Sequence, residues 1–404
     1  MPRAPITARP QSIYIRPAPG WLEVCEREVA SILKKPFQKY KFEPKLQRLK
    51  STLKVSHCDW RQALECVFRL RSAHDVEWLF VESPCRSWQE LERVLQKSPW
   101  DEILPQKDVS AHVTIDIIRG FTSGSAKLRS KFCEYAKIEH VSEGTPIRFK
   151  LELRDQRVRI LVSLAGEPLY KRDYKEVLQA VAPLPEHLAA SCIQWVLEQT
   201  EEPVGAVWAP FAGSGTFGFE SLLVLGAAGP GTFRKSFACE AFPATPLTTI
   251  QYLRRKMREN WEKNPVPKIV FNEMNEDVML ILQANTKNFS SQAAFEFQKG
   301  NFWDFKMPLP ETGSVMLLLN PPFGDRLAKK SSIIEIYKKI GDRLRRESEK
   351  VSVEVLGGCL CPDEKTWRSL LSALQPENFA THHFTHGGKE MRILRWKKKG
   401  ANFR

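Results

Sequence analysis

The chain has 404 residues, 42% of them hydrophobic and 27% charged, a composition that excludes a fibrous or largely disordered protein and suits two or three domains. Sixty-one Lys and Arg against 47 Asp and Glu leave a net charge of +14, which favours a polyanionic partner, nucleic acid before membrane. No apolar run is long enough for a transmembrane helix, and the opening MPRAPITARPQSIYIRPAPG lacks the apolar centre of a secretory signal.

In chain order, Ser12–Arg16 alternates as a strand, Pro19-Gly20 turns, and Trp21–Leu33 places Leu22, Cys25, Val29, Ile32 and Leu33 at helical spacing. Apolar Val67–Leu70 and Val76–Val81 bracket a polar RSAHD. Val109–Ile118 alternates as a strand, Ser125–Ile138 reads as a basic helix, and Ile147–Ser163 as a hairpin turning at Asp155-Gln156. These pieces predict an α+β domain with antiparallel strands. Its 29 basic and 20 acidic residues over 1–165, against 32 and 27 over the rest, put the denser positive charge in this part.

From about Pro185 the rhythm becomes strand–helix alternation. Val204–Trp208, Ser236–Cys239, Ala294–Phe297, Val315–Leu319 and Val351–Leu356 read as strands. Phe217–Leu225, Thr248–Asn260, Ser332–Arg345 and Thr366–Ala373 read as helices, and Thr381–His386 with Met391–Trp396 as a closing hairpin. Repeated β–α units behind a glycine-rich first turn predict an α/β domain with a doubly wound parallel sheet. The nine cysteines are scattered, without the paired C-x-x-C knuckles of a metal site. Cys359 and Cys361 read as buried thiols on one strand face. His382, His383 and His386 lack an acidic or thiol partner at ligand spacing, so no metal is expected. Free thiols suit the cytosol.

Three motifs carry chemistry. APFAGSGTFGFE (209–220) joins a strand to a helix, and Gly213 and Gly215 let the backbone approach a ligand. It lacks the lysine of a nucleotide-hydrolysing loop, and alone it is equally a plain turn. Glu240, after the strand ending at Cys239, stands where doubly wound folds place an acid against vicinal ribose hydroxyls; a solvated surface Glu is the other reading. Asn320-Pro321-Pro322-Phe323-Gly324 follows the apolar VMLLL. A loop alone would use the same turn formers. Placed at the carboxyl end of a buried strand, the proline pair fixes the backbone so that a carbonyl and the Asn320 side chain can together accept from an exocyclic amino group, with Phe323 as a stacking face.

N-P-P-[FY] is the motif of S-adenosyl-L-methionine (SAM)-dependent methyltransferases acting on planar amino nitrogens, adenine N6 or guanine N2. AGEPLYKRDYKEVLQAVAPLPEHLAAS (165–191) resembles the linker of THUMP-containing RNA guanine-N2 methyltransferases, and PGWLEVCEREV (19–29) with VFRLRSAHDVEWLF (67–80) is similar to their N-terminal region. The resemblance, nearest to the bacterial 23S rRNA large-subunit group, covers nearly the whole chain. It implies a ferredoxin-like plus THUMP RNA-binding region over 1–165, a linker and first helix over 166–190, and a Rossmann-like class I methyltransferase domain over 191–404. It also implies that SAM is the cofactor and rRNA the partner, with tRNA as an alternative.

Carried over by position, Asn320, Pro321, Pro322 and Phe323 would be catalytic. Pro210, Phe211, Ala212, Gly213, Ser214, Gly215 and Thr216 would wrap the methionine part of SAM, Glu240 its ribose, and Asn301 and Phe302 its adenine. Arg69, Arg71, Lys127, Arg129, Lys131, Lys137, Arg172 and Arg326 would hold RNA. Two positions depart from the pattern: Ala209 replaces the usual Asp of the first motif, and Asn301 an Asp on the adenine side. The first departure leaves a non-catalytic RNA-binding assembly factor as the alternative of another class.

Overall fold

The computed structural model describes residues 5–105, 109–117, 124–175, 184–289, 292–322 and 330–399. The chain divides into two units. The first takes Met1–Pro17, Cys25–Lys171 and Pro230–Arg258, the second Ala18–Val24, Arg172–Gly229 and Glu259–Arg404. Residues 230–258, expected within the C-terminal domain, therefore group with the N-terminal unit.

The first unit is built on β1 (Gln11–Pro17), α1 (Leu22–Lys34), β2 (Lys45–Arg48), β3 (Leu53–Cys58), α2 (Trp60–Arg69) and β4 (Ala73–Pro84). α3 (Trp88–Lys97), β5 (Val109–Ile117), α4 (Ser125–Ala136), β6 (Ile138–His140), β7 (Arg148–Arg154) and β8 (Arg157–Ser163) follow. Its eight strands lie in the order β2-β3-β1-β4-β8-β7-β5-β6, antiparallel except where β5 meets β7 and β6. The β7–β8 hairpin turns at Asp155 and Gln156, both with left-handed backbone (φ 50° and 58°), the geometry that matches the twist of the flanking strands. A chain of ring contacts, Trp60–Trp78, Trp78–Phe80, Phe80–Trp100 and Trp100–Phe132 at centroid spacings of 4.9, 5.2, 5.6 and 5.2 Å, runs through its core. Aromatics of this size supply most of the apolar surface such a core removes from water.

The second unit begins with α5 (Glu186–Leu197), β9 (Val204–Pro210) and α6 (Thr216–Leu225). The chain then passes through α7 (Pro230–Phe233) and α8 (Leu247–Lys263) to β10 (Lys268–Glu273), α9 (Glu276–Asn285), β11 (Phe295–Lys299) and β12 (Ser314–Leu319). α10 (Lys330–Ser348), β13 (Val355–Cys361), α11 (Glu364–Leu374), β14 (Asn378–His386) and β15 (Lys389–Lys398) complete it. The strand order is β11-β10-β9-β12-β13-β15-β14, parallel through β13, with β15 antiparallel to both its neighbours.

Every residue of β12 is buried, as a central parallel strand covered on both faces requires. Gly218 lets α6 lie close on the sheet, since a Cβ there would stand 2.2 Å from the Phe271 ring. This is the expected Rossmann-like sheet, and its order reverses between β9 and β12. That reversal opens a crevice at the strands' carboxyl ends.

Two sequence expectations shift. Ser236–Cys239 is not a strand; Ala238–Ala241 is a 3₁₀ turn, and the second parallel strand is β10, further along the chain. β13 starts at Val355 and takes in Gly357 to Cys361 instead of beginning at Val351. In the histidine cluster, His382 lies 4.1 Å from the Trp21 ring, and its Nε2 is 2.9 Å from the Gly20 carbonyl. No helix among the described residues is long and apolar enough to cross a membrane.

Candidate active site

At the strand-order reversal, β9, β10, β11 and β12 all deliver residues to one cavity of about 400 Å³. β9 ends at Pro210, and the chain turns sharply through Phe211, Gly213 and Gly215 at φ 57°, 53° and 80°. Left-handed backbone is easy for glycine but costs a phenylalanine about 1–2 kcal/mol. The turn is held by Ala212 N–H donating to the Asn272 carbonyl at 3.0 Å, Gly213 N–H to Glu273 Oε2 at 2.9 Å, and Gly215 N–H to the Ala212 carbonyl at 2.8 Å. α6 then starts with no side-chain cap among the described residues, and the first backbone N–H groups of a helix so begun can meet an anionic or polar ligand.

β10 ends in Asn272 and Glu273. The buried Asn272 amide donates to the carbonyls of Gln298 and Gly300 at 2.9 and 3.0 Å, tying the end of β10 to the loop after β11. In that loop Asn301 caps a short turn, its Oδ1 accepting from Trp303 N at 3.4 Å. Phe302 packs against Trp208 and Phe211 at 5.3 and 5.0 Å. Trp303 stands 5.0 Å from Phe302, edge-on and 39% exposed at the rim. The result is an aromatic wall with a carboxylate beside it.

On the far side β12 runs into Asn320, Pro321 and Pro322. Asn320 Oδ1 is buried and has no hydrogen-bond partner among the described residues. A buried amide oxygen left unpaired costs about 1–3 kcal/mol, which a donor entering the cavity would relieve.

Pro210, Phe211, Ala212, Gly213, Ser214, Thr216, Asn301, Phe302, Asn320 and Pro322 thus come together around the same space. Gly215 belongs to the same turn but packs toward Leu282 and Phe219. Pro321 sits between two lining residues. Phe323 and Arg326 lie outside the described residues.

Glu240 is corrected. It sits in the first unit's 3₁₀ turn, accepts from Phe237 N at 3.1 Å and pairs with Arg254, and it is not among the residues that line the cavity. The acid that ends the second strand is Glu273. The sequence signal for it was the apolar Ile269–Phe271 closed by Asn-Glu, hidden because the chain takes a long excursion between α6 and β10.

Arg172 is corrected too. It is 2% exposed, with Nε and Nη2 each 3.3 Å from a Glu220 oxygen, while Tyr174 donates to Glu220 at 2.9 Å. Burial holds the Glu220 carboxyl above its ordinary range even against the Arg172 charge. Arg172 is therefore a core ion pair and no grip on RNA.

Among the first unit's cations, Arg69 pairs with Glu65 and donates to the Lys35 carbonyl. Arg71 pairs with Glu28 at 2.9 Å, and Arg129 Nε donates to the Val113 carbonyl at 3.0 Å. These three are committed to the fold. Lys127 and Lys137 are exposed, Lys127 standing 4.8 Å over the Trp88 ring. Lys131 pairs at the surface with Glu134.

The model of the RMKL-like methyltransferase domain family matches residues 172–387, more than half of the chain. The chain belongs to this methyltransferase family. Among curated proteins it is similar to the ribosomal RNA large subunit methyltransferase K/L of Magnetococcus marinus, 25% identical over 257 residues, covering 60% of this chain and 35% of that one. The protein of the same name from Shewanella pealeana is 22% identical over 320 residues, covering 76% and 43%. The chain thus spans about two fifths of the length of the curated relatives it matches. A methyltransferase solved in complex with SAH shares its fold, with a TM-score of 0.74 at 16% identity over 98% of this chain and all of that one.

Proposed function

We propose that this family member transfers the methyl group of SAM to the exocyclic N2 amino group of a guanine in structured RNA, with 23S rRNA as the target. The observation that carries this reading is the buried Asn320 Oδ1, without a partner among the described residues, at the carboxyl end of β12 beside the rigid Pro321-Pro322. The name of the curated relatives supports rRNA, and the N-P-P-F motif supports a planar amino nitrogen.

The cavity suits SAM. Glu273 offers a carboxylate to vicinal ribose hydroxyls, Trp303, 39% exposed with Phe302 packed beside it, offers a flat apolar face to an adenine, and the start of α6 presents backbone N–H groups. When bound, SAM supplies an electrophilic methyl on a sulfonium. Asn320 Oδ1 and the Pro321 carbonyl would accept from the two amino hydrogens of the base. That draws the nitrogen lone pair out of the ring and holds it in one direction. The residues around the cavity would fix the approach, so catalysis rests on positioning. Lys127, Lys131 and Lys137 on and after α4 would attract the RNA backbone from the first unit. Such a reaction and the reduced cysteines both suit the cytoplasm.

The test is methyl transfer from labelled SAM to total RNA and to partly assembled ribosomal subunits from a strain lacking the gene, with nucleosides resolved by mass spectrometry. N2-methylguanosine in 23S rRNA is the expected product. Asn320→Ala should lower the rate by about 10²-fold or more, the scale of a lost transition-state acceptor, while SAM binding persists. Label confined to tRNA would move the target. RNA binding without SAM binding would establish the assembly-factor reading, with Ala209 as its cause.

A further inference from the structure

We infer that Arg343, with Glu347, is the positioning pair that fixes the nucleoside side of the cavity; this rests on the methyl-transfer reading above. The wall at Phe302 and Trp303 hangs on a short 3₁₀ turn, Phe302–Asp304, entered through Gly300 at φ 141°. A turn this short leaves carbonyls without partners of its own, and its one cap, Asn301, is a long 3.4 Å bond.

Arg343 reaches the loop from α10 and is only 7% exposed. Its Nη1 donates to the Phe302 carbonyl and its Nη2 to the Phe305 carbonyl. Its Nε donates to Glu347 Oε1 at 2.9 Å, and Glu347 Oε2 accepts from Met307 N at 3.2 Å. Two side chains one helical turn apart therefore clamp the loop at residues 302, 305 and 307. The guanidinium also lies 4.2 Å from the Phe302 ring centroid, 5.7 Å from Trp208 and 5.9 Å from Trp303.

Only a planar fork can serve two carbonyls, a carboxylate and a ring face together; a lysine ammonium has neither the span nor the plane. Arg343 touches no reacting atom. Its work is to hold Phe302 and Asn301 where an adenosine would bind. It hangs that wall on α10, the helix that follows the Asn320 loop in the chain.

The experiment compares full-length wild type with Arg343→Lys, Arg343→Ala and Glu347→Gln, using SAM binding by calorimetry and methyl transfer to the RNA substrate. Arg343→Lys should raise the Kd and KM for SAM about tenfold or more while kcat at saturating SAM stays within about threefold, the split of a residue that acts on binding alone. Glu347→Gln keeps a carbonyl oxygen for Met307 N and should fall between Lys and wild type. Adenosine and SAH should weaken in parallel with SAM, and methionine as a competitor should not change.

Unchanged SAM affinity in Arg343→Lys, with wild type active, overturns the pair's role and leaves the methyl-transfer reading intact. A fall in kcat with unchanged KM also overturns it. Wild type that binds SAM but methylates nothing removes the activity while the affinity comparison still decides the clamp. Wild type that binds no SAM removes both. Thermal unfolding without ligand separates a general loss of fold: Arg343→Lys should still unfold in one cooperative transition, lowered by the lost bonds and above that of Arg343→Ala, and the SAM affinities are compared well below both midpoints.

Discussion

Glu273 and Glu240 show at single-residue scale how near the sequence comes to the site and where it misses. Both are acids following a short apolar run, and spacing from the glycine turn favoured Glu240. The structure gives Glu240 an arginine partner in another unit and puts Glu273 against Gly213 in the cavity. Glu273→Gln should raise KM for SAM about tenfold to a hundredfold with a smaller change in kcat, whereas Glu240→Gln should leave KM within about twofold, and paired titrations of the two variants check this. Asn320 was legible because two prolines after an apolar strand are rare and rigid. Arg343 was not: in sequence it is one of many helix-borne cations, and only the packing of α10 shows that its donors serve backbone carbonyls.

Among the elements, the parallel core was legible wherever a strand is apolar on both faces, as in β12, or a helix is amphipathic over several turns, as in α10. β10 was not, since KIVFNE is short, carries a lysine and lies between a proline-rich stretch and a polar turn. Arg172 misled for the opposite reason. It lies in a run of charges that reads as solvated, yet packing draws it under α6 with Tyr174 to meet Glu220. Arg172→Met should cost about 3–5 kcal/mol in urea unfolding, because it strands a buried carboxylate. Adding Glu220→Gln to it should restore part of that stability, and equal losses in the single and double variants would show that the pair is not coupled.

At the level of the whole molecule, pH acts on stability through a buried carboxyl of the first unit. Asp75 in β4 is pushed up to about 7, first by burial and then by the charge of Glu77, against a bond from Ser163 Oγ at 2.8 Å and the Arg16 charge. The folded chain therefore keeps a proton that the unfolded chain gives up near pH 4. The contribution of this one carboxyl to stability should therefore decline as pH rises from about 4 to about 7 and then level off, against the opposite trend of the carboxylates and histidines that the fold holds below their ordinary range. Asp75→Asn should flatten that slope, and the Tm of both proteins across pH 5–8 is the measurement. An unchanged slope would place the proton elsewhere.

The excursion of residues 230–258 into the first unit has a further consequence. The backbone crosses between the units at 17/18, 24/25, 171/172, 229/230 and 258/259, so no single cut releases either of them whole. A fragment begun at Arg172 carries Phe237 without Phe68, the ring it meets at 4.8 Å. It also carries Gly231 without the Phe68 side chain that leaves no room for a Cβ there. A first-unit fragment ended at Lys171 would likewise lack residues 230–258 of its own unit.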